Sequence, residues 1–384
     1  LAAEATAAGA TVREQHEQVG RWLLLVTATP DVLRRLAGAK SVQWIEPEGV
    51  VTERNDTTSW TIQTGVNGNR RIWNLGLRGE GQIVGHQDSS IPTGSCWFSD
   101  PANAIGPNHR KIVFRSGPGT GSSHGTHTAG TAVGDAQPIN GSTANRGMAY
   151  LAKIATSSDY SASVWATRAT SHLGAGARVH TNSWGDDSTT AYNAHCNAID
   201  AFSWTNEGNL VLFAETNLST LRNPENAKNL VAVGNGENGA LANNKAGGGT
   251  GPTADGRRKP DLMAPGEGIV SAGTGACTTN TLSGTSMACP AATGAAALIR
   301  QYFVDGFYPS GVATPSDGFE PTGALIKAVL VNTTVDMTGV AGYPSNAEGW
   351  GRIVLDETLH FAGDVGRMWA VDVRRAQGLT TSGQ

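Results

Sequence analysis

The feature that most limits the fold of this 384-residue chain is the alternation of short apolar segments with longer helical ones through its central part. Apolar segments of four or five residues are typical of strands that are buried on both faces. We predict such strands at residues 82–85, 111–114, 178–181, 209–213 and 229–233. The helical stretches are predicted at residues 127–133, 191–204 and 286–303. Strands that alternate with helices favour a parallel sheet with crossover connections, so the sequence predicts an α/β architecture.

The first 54 residues differ from the rest because charged side chains are dense there. Residues 21–29 (RWLLLVTAT) and 41–45 (SVQWI) predict strands. Residues 30–36 predict a helix between them, with Thr29 as its N-cap and Pro30 at its first position. A unit of this size buries too little apolar surface to be stable alone, so we expect it to pack on something else.

This pattern divides the chain into three parts. Residues 1–54 form a small α+β segment, and residues 55–362 form the main domain. Residues 363–384 form a tail, in which residues 367–374 (RMWAVDVR) alternate in the manner of one further strand.

Composition and charge argue against several classes of function. The formal net charge is -4, whereas nucleic acid and acidic membrane surfaces both attract basic proteins, so neither is expected as a partner. The longest apolar run is far shorter than the roughly 18 residues of a membrane span. The chain begins at Leu1 without a charged leader, so we expect any signal peptide to have been removed or never to have been present. We expect a secreted or extracytoplasmic protein.

The four cysteines, Cys96, Cys196, Cys277 and Cys289, show no CxxC spacing, which argues against a zinc cluster. They allow one or two disulfides, whose pairing the sequence leaves open. Cys289 falls inside a predicted helix and is expected to be a buried free thiol. Cys277 would pair with it only if the intervening loop folded back.

The strongest chemical signal is the segment 283–290 (SGTSMACP), which opens a helix of small residues. Ser286 would lie at the helix start, where unpaired N–H groups and the positive end of the dipole stabilise developing negative charge. Pro290 is tolerated in a first turn, because its missing N–H needs no partner there. The alternative is a buried small-residue helix in which the serine is only a cap.

Two further segments supply a base and a carboxylate. Segment 123–130 (SHGTHTAG) offers His124 as a general base, and His127 is expected to be a buried structural histidine. A metal site built on both histidines would lack the glutamate of an HExxH motif. Asp88 ends an apolar strand, where it can accept a histidine N–H and fix the ring tautomer. Taken alone, Asp88 would be interpreted as a turn residue.

Asn217 follows the apolar strand of segment 210–217 (LVLFAETN) and can donate to an oxyanion, although an isolated asparagine here is most simply a turn residue. The chain order Asp88, His124, Ser286 is that of subtilisin. Together with residues 181–185 (TNSWG) and 259–266 (KPDLMAPG), these motifs resemble those of the subtilisin-like peptidase family over roughly residues 55–362. The chain is most similar to bacterial alkaline members that carry a C-terminal β-sandwich.

The resemblance implies a three-layer fold, with helices flanking a mostly parallel sheet, and a serine endopeptidase that acts through an acyl-enzyme. It assigns the nucleophile to Ser286, the base to His124, the orienting carboxylate to Asp88 and the oxyanion donor to Asn217. The substrate-binding residues it implies are Ser183, Trp184, Gly185, Ala214 and Thr216.

The resemblance also makes residues 1–54 the later part of an inhibitory propeptide, cut near Arg54–Asn55, and makes the tail the truncated first strand of a sandwich. The expected partners are protein or peptide substrates and this propeptide, with a monomeric enzyme. No cofactor is needed for the chemistry. Structural calcium is common in the family, but no DxDxDG-type loop identifies ligands here.

The chain departs from the family at Glu215 and Thr216, where small residues normally precede the oxyanion asparagine. We expect Glu215 to face solvent; if it faced the pocket, basic substrate side chains would be favoured. Two alternatives stay open: a catalytically silent binding or regulatory module on the same fold, and a transamidase or macrocyclase that uses the same triad.

Overall fold

The computed structural model describes residues 1–18, 21–45 and 54–377. The chain divides into two compact units, Leu1–Thr52 and Glu53–Gln384.

The first unit is a small α+β structure. Its elements are α1 (Ala2–Ala7), β1 (Thr11–Gln18), β2 (Arg21–Thr27) and α2 (Pro30–Ala37). The two strands pair antiparallel. The predicted cap is confirmed, since the Thr29 hydroxyl accepts from the Val32 N–H and Pro30 opens the helix.

The strand predicted at residues 41–45 is wrong: residue 41 lies in a turn and residues 42–45 are irregular. The strand that pairs with β2 is β1, whose sequence TVREQHEQ is too polar to have been recognised as one. Trp44 is largely exposed, so the alternating pattern there does not reflect a half-buried sheet.

The second unit is an α/β domain, as predicted. Its helices are α3 (Arg54–Gln63), α4 (Arg71–Asn74), α5 (Ser123–Val133), α6 (Gln137–Asn140), α7 (Trp165–Gly174), α8 (Ala194–Thr205), α9 (Thr285–Val304) and α10 (Gly323–Asn332). Its strands are β3 (Ile83–Gln87), β4 (Ile112–Ser116), β5 (Lys153–Ser157), β6 (Val179–Asn182), β7 (Leu210–Ala214), β8 (Val231–Gly236), β9 (Lys245–Gly247), β10 (Leu262–Pro265), β11 (Ile269–Ala272), β12 (Thr279–Leu282), β13 (Thr334–Val335) and β14 (Arg352–Ile353).

The central sheet runs in the order β13-β14-β10-β8-β7-β6-β3-β5-β4, with β9 added beside β8. Its neighbours from β14 to β4 are parallel, and only β13 and β9 pair antiparallel. Successive side chains of β7 enter two different hydrophobic clusters, Leu210 and Leu212 on one face and Val211 and Phe213 on the other. Both faces of the sheet at β7 are therefore covered by helices, which explains why β7 (LVLFA) is a continuous apolar run. The predicted mostly parallel, helix-flanked fold is confirmed.

Helix α9 passes through the main core, and 18 of its residues are buried. Small side chains let it approach its neighbours closely: a Cβ added at Gly294 would lie 2.5 Å from Cβ of Met148. Pro290 is the sixth residue of this helix, so the prediction that it lies in the first turn is wrong. Its missing N–H leaves the carbonyl oxygen of Ser286 without a partner in the helix, and that oxygen accepts from the Ser183 hydroxyl instead. The close packing fixes the N-terminus of α9, where Ser286 lies.

The strand predicted at residues 367–374 is also wrong, because this segment has no strand partner among the described residues. Its inward side is held by side chains instead. The Tyr308 hydroxyl donates to the carbonyl of Ala370 at 3.0 Å and accepts its N–H at 3.1 Å, and Asp372 accepts from Thr322. The alternating pattern is real, since Trp369 and Val371 point outward, but it belongs to an extended segment rather than to a sheet.

Cys96 and Cys277 form a disulfide, so Cys277 does not pair with Cys289. Cys289 is a buried free thiol, as predicted, and burial raises its pKa to about 11. Cys196 is likewise free and buried. Within the described ranges, no helix is long and apolar enough to cross a membrane.

Candidate active site

The predicted site residues come from neighbouring elements that end at one edge of the sheet. Asp88 directly follows β3, Ser183 directly follows β6, and Asn217 lies three residues beyond β7. Strand β6 pairs with both β3 and β7, and all three are parallel. The carboxyl ends of parallel strands meet at the same edge, so this edge gathers the side chains.

His124 and Asp88 are joined by a hydrogen bond of 2.7 Å between Nδ1 and Oδ1. The same carboxylate oxygen accepts the N–H of Ser89 at 2.7 Å. Because Nδ1 donates to the carboxylate, Nε2 of His124 is left as a proton acceptor. Asp88 is almost completely buried, whereas the His124 side chain is 42% exposed and can meet a substrate.

The charge state of His124 follows from this pairing. Burial disfavours the imidazolium, but the hydrogen bond to Asp88 and its negative charge outweigh burial and raise the pKa of His124 above its usual value. The ring is therefore a stronger proton acceptor than a free histidine, which suits a general base.

Ser286 occupies the second position of α9 and is anchored to the end of β6. Its hydroxyl donates to the carbonyl oxygen of Ser183 at 3.3 Å, and the Ser183 hydroxyl donates to the carbonyl oxygen of Ser286 at 2.9 Å. The structure describes no hydrogen bond between Ser286 and His124. Such bonds often tighten only when substrate is bound, so the unliganded geometry is compatible with the predicted pairing.

A further contact joins β12 to the start of α5, the helix that carries His124. The Nδ2 of Asn280, on β12, donates to Oγ of Ser123 at 2.9 Å, beside His124.

His127 is fully buried, and its Nε2 lies 2.8 Å from the carbonyl oxygen of Ile269. Burial lowers the pKa of His127 to about 4, so it is neutral and joins α5 to β11. In the described part of the chain, no group of three or more His, Cys, Asp or Glu side chains is placed to hold a metal ion.

Asn217 is exposed and held through its side-chain oxygen. Oδ1 accepts from the backbone N–H and from the hydroxyl of Thr285, both at 3.1 Å. This fixes Asn217 beside the residue that precedes Ser286 and leaves its amide N–H groups as donors. A Cβ on Gly284, at φ +135°, would lie 2.9 Å from that oxygen, so the turn favours glycine.

The predicted substrate-binding residues lie around this edge with different exposure. Trp184 is partly buried, and its Nε1 donates to the carbonyl of Gln87 at 2.9 Å. Gly185 is exposed, and a Cβ there would lie 2.7 Å from the carbonyl oxygen of Asn223. Ala214 is only 5% exposed and belongs to the main core. Contact with substrate stays a prediction for all of them.

The expectation that Glu215 faces solvent is wrong, because its side chain is only 2% exposed. Among the described residues, neither carboxylate oxygen has a hydrogen bond partner. Burial, followed by the negative charge of Glu225, raises the pKa of Glu215 well above its usual value. Its local sequence gave no sign of this, since Glu225 and the charged Lys245, Lys259 and Asp261 around it are distant in the chain.

Glu225 ties together the two ends of the loop that carries Asn217. Its Oε1 accepts the N–H of Thr216 at 3.0 Å and that of Arg222 at 2.7 Å. The Thr216 hydroxyl donates to Asp187 and accepts from the backbone N–H of Leu218 at 3.1 Å. Thr216, where the chain departs from the family pattern, is thus held in place by hydrogen bonds.

Sequence reasoning missed the residues that support the site. Thr285 directly precedes Ser286 and Ser89 directly follows Asp88, so their positions could have indicated them. Thr128 lies one helical turn after His124, and its hydroxyl donates to Oδ2 of Asp88 at 3.2 Å. For Glu225, no pattern in the sequence indicates that it supports the site.

Known proteins resemble this chain at the level of family and fold. The model of the subtilase family (Peptidase_S8) matches residues 79–351. Three serine protease/ABC transporter B family proteins of Dictyostelium discoideum align with the chain: tagD is 29% identical over 76% of it, tagA 25% over 85%, and tagB 28% over 76%. The aligned regions are 23%, 26% and 22% of those proteins, so the chain spans about a quarter of their length.

Two solved structures share the fold. The prenylagaramide maturation protease PagA aligns with a TM-score of 0.57 at 18% identity, covering 76% of this chain and 97% of that one. The Clostridium perfringens CspB protease aligns with a TM-score of 0.63 at 17% identity, covering 78% and 96%. The family match extends over most of the second unit and includes Asp88, His124 and Ser286. The chain therefore belongs to the subtilase family of serine peptidases.

Proposed function

We propose that this chain is a subtilisin-type serine endopeptidase, which cuts internal bonds of extended protein substrates with Asp88, His124 and Ser286. The observation that carries the proposal is the 2.7 Å hydrogen bond from His124 to the buried Asp88, at the sheet edge where Ser286 opens α9. This arrangement supplies an oriented base and a nucleophile in a field that favours negative charge.

In the proposed reaction, the Ser286 oxygen attacks the scissile carbonyl carbon while Nε2 of His124 takes the hydroxyl proton. Asp88 holds the ring and stabilises the imidazolium. The Asn217 amide and the Ser286 backbone N–H donate to the oxyanion. The imidazolium then protonates the leaving amine, and an acyl-enzyme remains. A water molecule, activated by His124, hydrolyses this ester and restores the hydroxyl of Ser286.

Preference for extended chains is proposed from the segment that continues β6. Residues 183–185 leave the sheet beside Ser286, and their backbone can pair with a substrate as an added strand. Such pairing uses binding energy from residues remote from the cut, so shortening the substrate should lower kcat and not only raise KM.

A length series tests the endopeptidase proposal. We expect wild-type protein to cut an internally quenched peptide whose two ends are blocked, and to cut a shortened blocked peptide with the same scissile bond at least tenfold more slowly in kcat/KM. Rates are read by fluorescence, and products by mass spectrometry. Removal of single terminal residues from an unblocked peptide, without an internal cut, would contradict the proposal.

We further propose that the enzyme processes itself near Arg54–Asn55. Residues 46–53 lie outside the described residues, and α3 begins at Arg54. A bond in a helix cannot pair with the substrate segment, so the first turn of α3 would unwind before the cut. We expect N-terminal sequencing of wild-type protein to give a new start near Asn55, while Ser286→Ala stays whole. If wild type and Ser286→Ala both stay uncut, although the wild type cuts other peptides, self-processing would be contradicted.

A further inference from the structure

Behind Asp88 lies a chain of buried polar side chains with no assigned role in the reaction. The Thr128 hydroxyl, on α5, donates to Oδ2 of Asp88 at 3.2 Å. Nε2 of His86 lies 3.0 Å from Oγ1 of Thr128, and Nδ1 of His86 lies 2.9 Å from Oγ1 of Thr156. His86 on β3 and Thr156 on β5 are register partners, so the sheet itself holds the second contact. His86, Thr128 and Thr156 are 1%, 0% and 2% exposed, so water cannot satisfy them.

The need to pair buried groups decides where the proton of His86 lies. If Nδ1 carried it, Nε2 would accept the hydroxyl proton of Thr128, and Oδ2 of Asp88 would lose the donor that the described residues give it. The hydroxyl proton of Thr156 would also lose its acceptor, and each loss is costly in a buried site. With the proton on Nε2, every group is paired: Thr156 donates to His86, His86 donates to Thr128, and Thr128 donates to Asp88.

Two other arrangements are less favourable. Thr128 could turn its proton to the carbonyl of Gly125, also at 3.2 Å, but an ionised carboxylate is the stronger acceptor. His86 could be doubly protonated, but burial lowers its pKa to about 4, against the raising effect of Asp88 and with the lowering effect of His124. The neighbouring His172 is also held neutral by burial. His86 is therefore neutral in the working range of a general base.

We propose, resting on the proposed function, that His86 and Thr128 are positioning residues for the triad. His86 carries its proton on Nε2 and directs the hydroxyl proton of Thr128 onto Oδ2 of Asp88. This hydrogen bond reduces the negative charge on the Asp88 carboxylate, whose other oxygen, Oδ1, accepts from His124. The two residues thereby set how strongly Asp88 stabilises the imidazolium.

The sign of the effect follows from the bond. Without the Thr128 donor, Asp88 keeps more negative charge for His124, so the pKa of His124 rises further. The neutral ring is then reached only at higher pH, and the acid limb of kcat/KM moves upward. We expect a shift of about 1 pH unit, the lower end of the range for loss of one hydrogen bond to a charged group.

The test compares pH profiles of kcat/KM for Thr128→Val with those of wild type and Thr126→Val. Thr126 is a matched control, because it lies on the same helix and is equally buried, and its hydroxyl has no hydrogen bond partner in the described part of the chain. We expect the acid limb to move upward in Thr128→Val and to stay in place in Thr126→Val. Equal limbs in both variants would overturn the inference.

His86 is tested by rescue and by non-additivity. His86→Leu is expected to shift the limb in the same direction as Thr128→Val but by less, because the Thr128 hydroxyl keeps Asp88 as its stronger acceptor and loses only the N–H of His86. The double variant is expected to shift no further than Thr128→Val. His86→Gln, whose amide can donate to Thr128 and accept from Thr156, is expected to keep most of the wild-type position. If His86→Leu fails to fold, the Thr128→Val comparison still decides.

A spectroscopic readout separates this inference from the proposed function. Nitrogen NMR of the full chain reports which ring nitrogen of His86 carries the proton, whether or not the protein cuts peptides. A proton on Nε2 is expected, and a proton on Nδ1 would overturn the inference even in an active peptidase. A wild type that cuts no peptide, with the proton on Nε2, would count against the proposed function alone.

Discussion

Replacing Ser286 with alanine is expected to lower kcat for peptide hydrolysis on the order of 10⁶-fold, the loss known for the same change in subtilisin. The variant keeps the helix N-terminus, Asn217 and the His124–Asp88 pair, but no atom remains that can form the acyl-enzyme. KM should change little, since the Ser286 hydroxyl does not bind the ground state. Steady-state kinetics on the internally quenched peptide measure both values.

A nearby serine provides the control for Ser286→Ala. Ser283 belongs to the same turn, and its hydroxyl donates to Glu267 at 2.8 Å rather than to the site. Ser283→Ala should keep most of the wild-type kcat. Comparable losses in both variants would show that the turn, and not the nucleophile, had been damaged.

Replacing Asp88 with asparagine is expected to lower kcat by about 10⁴-fold, as in the equivalent serine peptidase variant. The amide can donate to Nδ1 of His124, which moves the ring proton to Nε2. The ring then has no free electron pair for the Ser286 proton. The buried position changes little in shape, so the free energy of unfolding should fall far less than activity.

The control for Asp88→Asn is a surface aspartate. Asp159 pairs with Arg168 at the surface, and such pairs contribute little to stability. Asp159→Asn should leave kcat within about twofold. An Asp88→Asn enzyme with near-wild-type kcat would remove Asp88 from the proposed mechanism.

The interior of the fold was predictable because burial on both faces leaves a strong mark on sequence. Strand β7 (LVLFA) lies at the centre of the sheet and is an apolar run, and β8 begins as one, so both were predicted to within a few residues. Strand β6 (VHTN) was predicted too, although only Val179 in it is apolar. Strand β5 (KIATS) was missed because its ends carry Lys153 and Ser157. The two-residue strands β13 and β14 are too short to show any period.

The two wrong strand predictions share a physical cause. At residues 41–45 and 367–374 apolar and polar residues alternate, but alternation in the sequence does not by itself supply a partner strand. Residues 367–374 are held by Tyr308, Thr322 and other side chains, which no local pattern reveals. Strand pairing depends on residues that are distant in the sequence, and among the described residues neither segment has a partner strand.

The site divides along the same line. Ser286, His124 and Asp88 each belong to a short contiguous motif, and their order in the chain identified the set. Glu215 could not be placed, because its burial is set by residues that are distant in the chain and approach only after folding, and the charges of Glu225 and Lys245 then act on it. A carboxylate two residues from Asn217 was therefore assigned to solvent, although its side chain is buried.

The central claim is that Ser286 is an activated nucleophile, and covalent labelling tests it most directly. Folded wild-type protein is treated with a fluorophosphonate and digested with another protease, and the modified residue is located by mass spectrometry. We expect one phosphonyl group on Ser286, formed with loss of fluoride, and none in Ser286→Ala. A folded wild-type protein that takes up no label, or a Ser286→Ala variant that is labelled equally, would show that Ser286 is not the nucleophile.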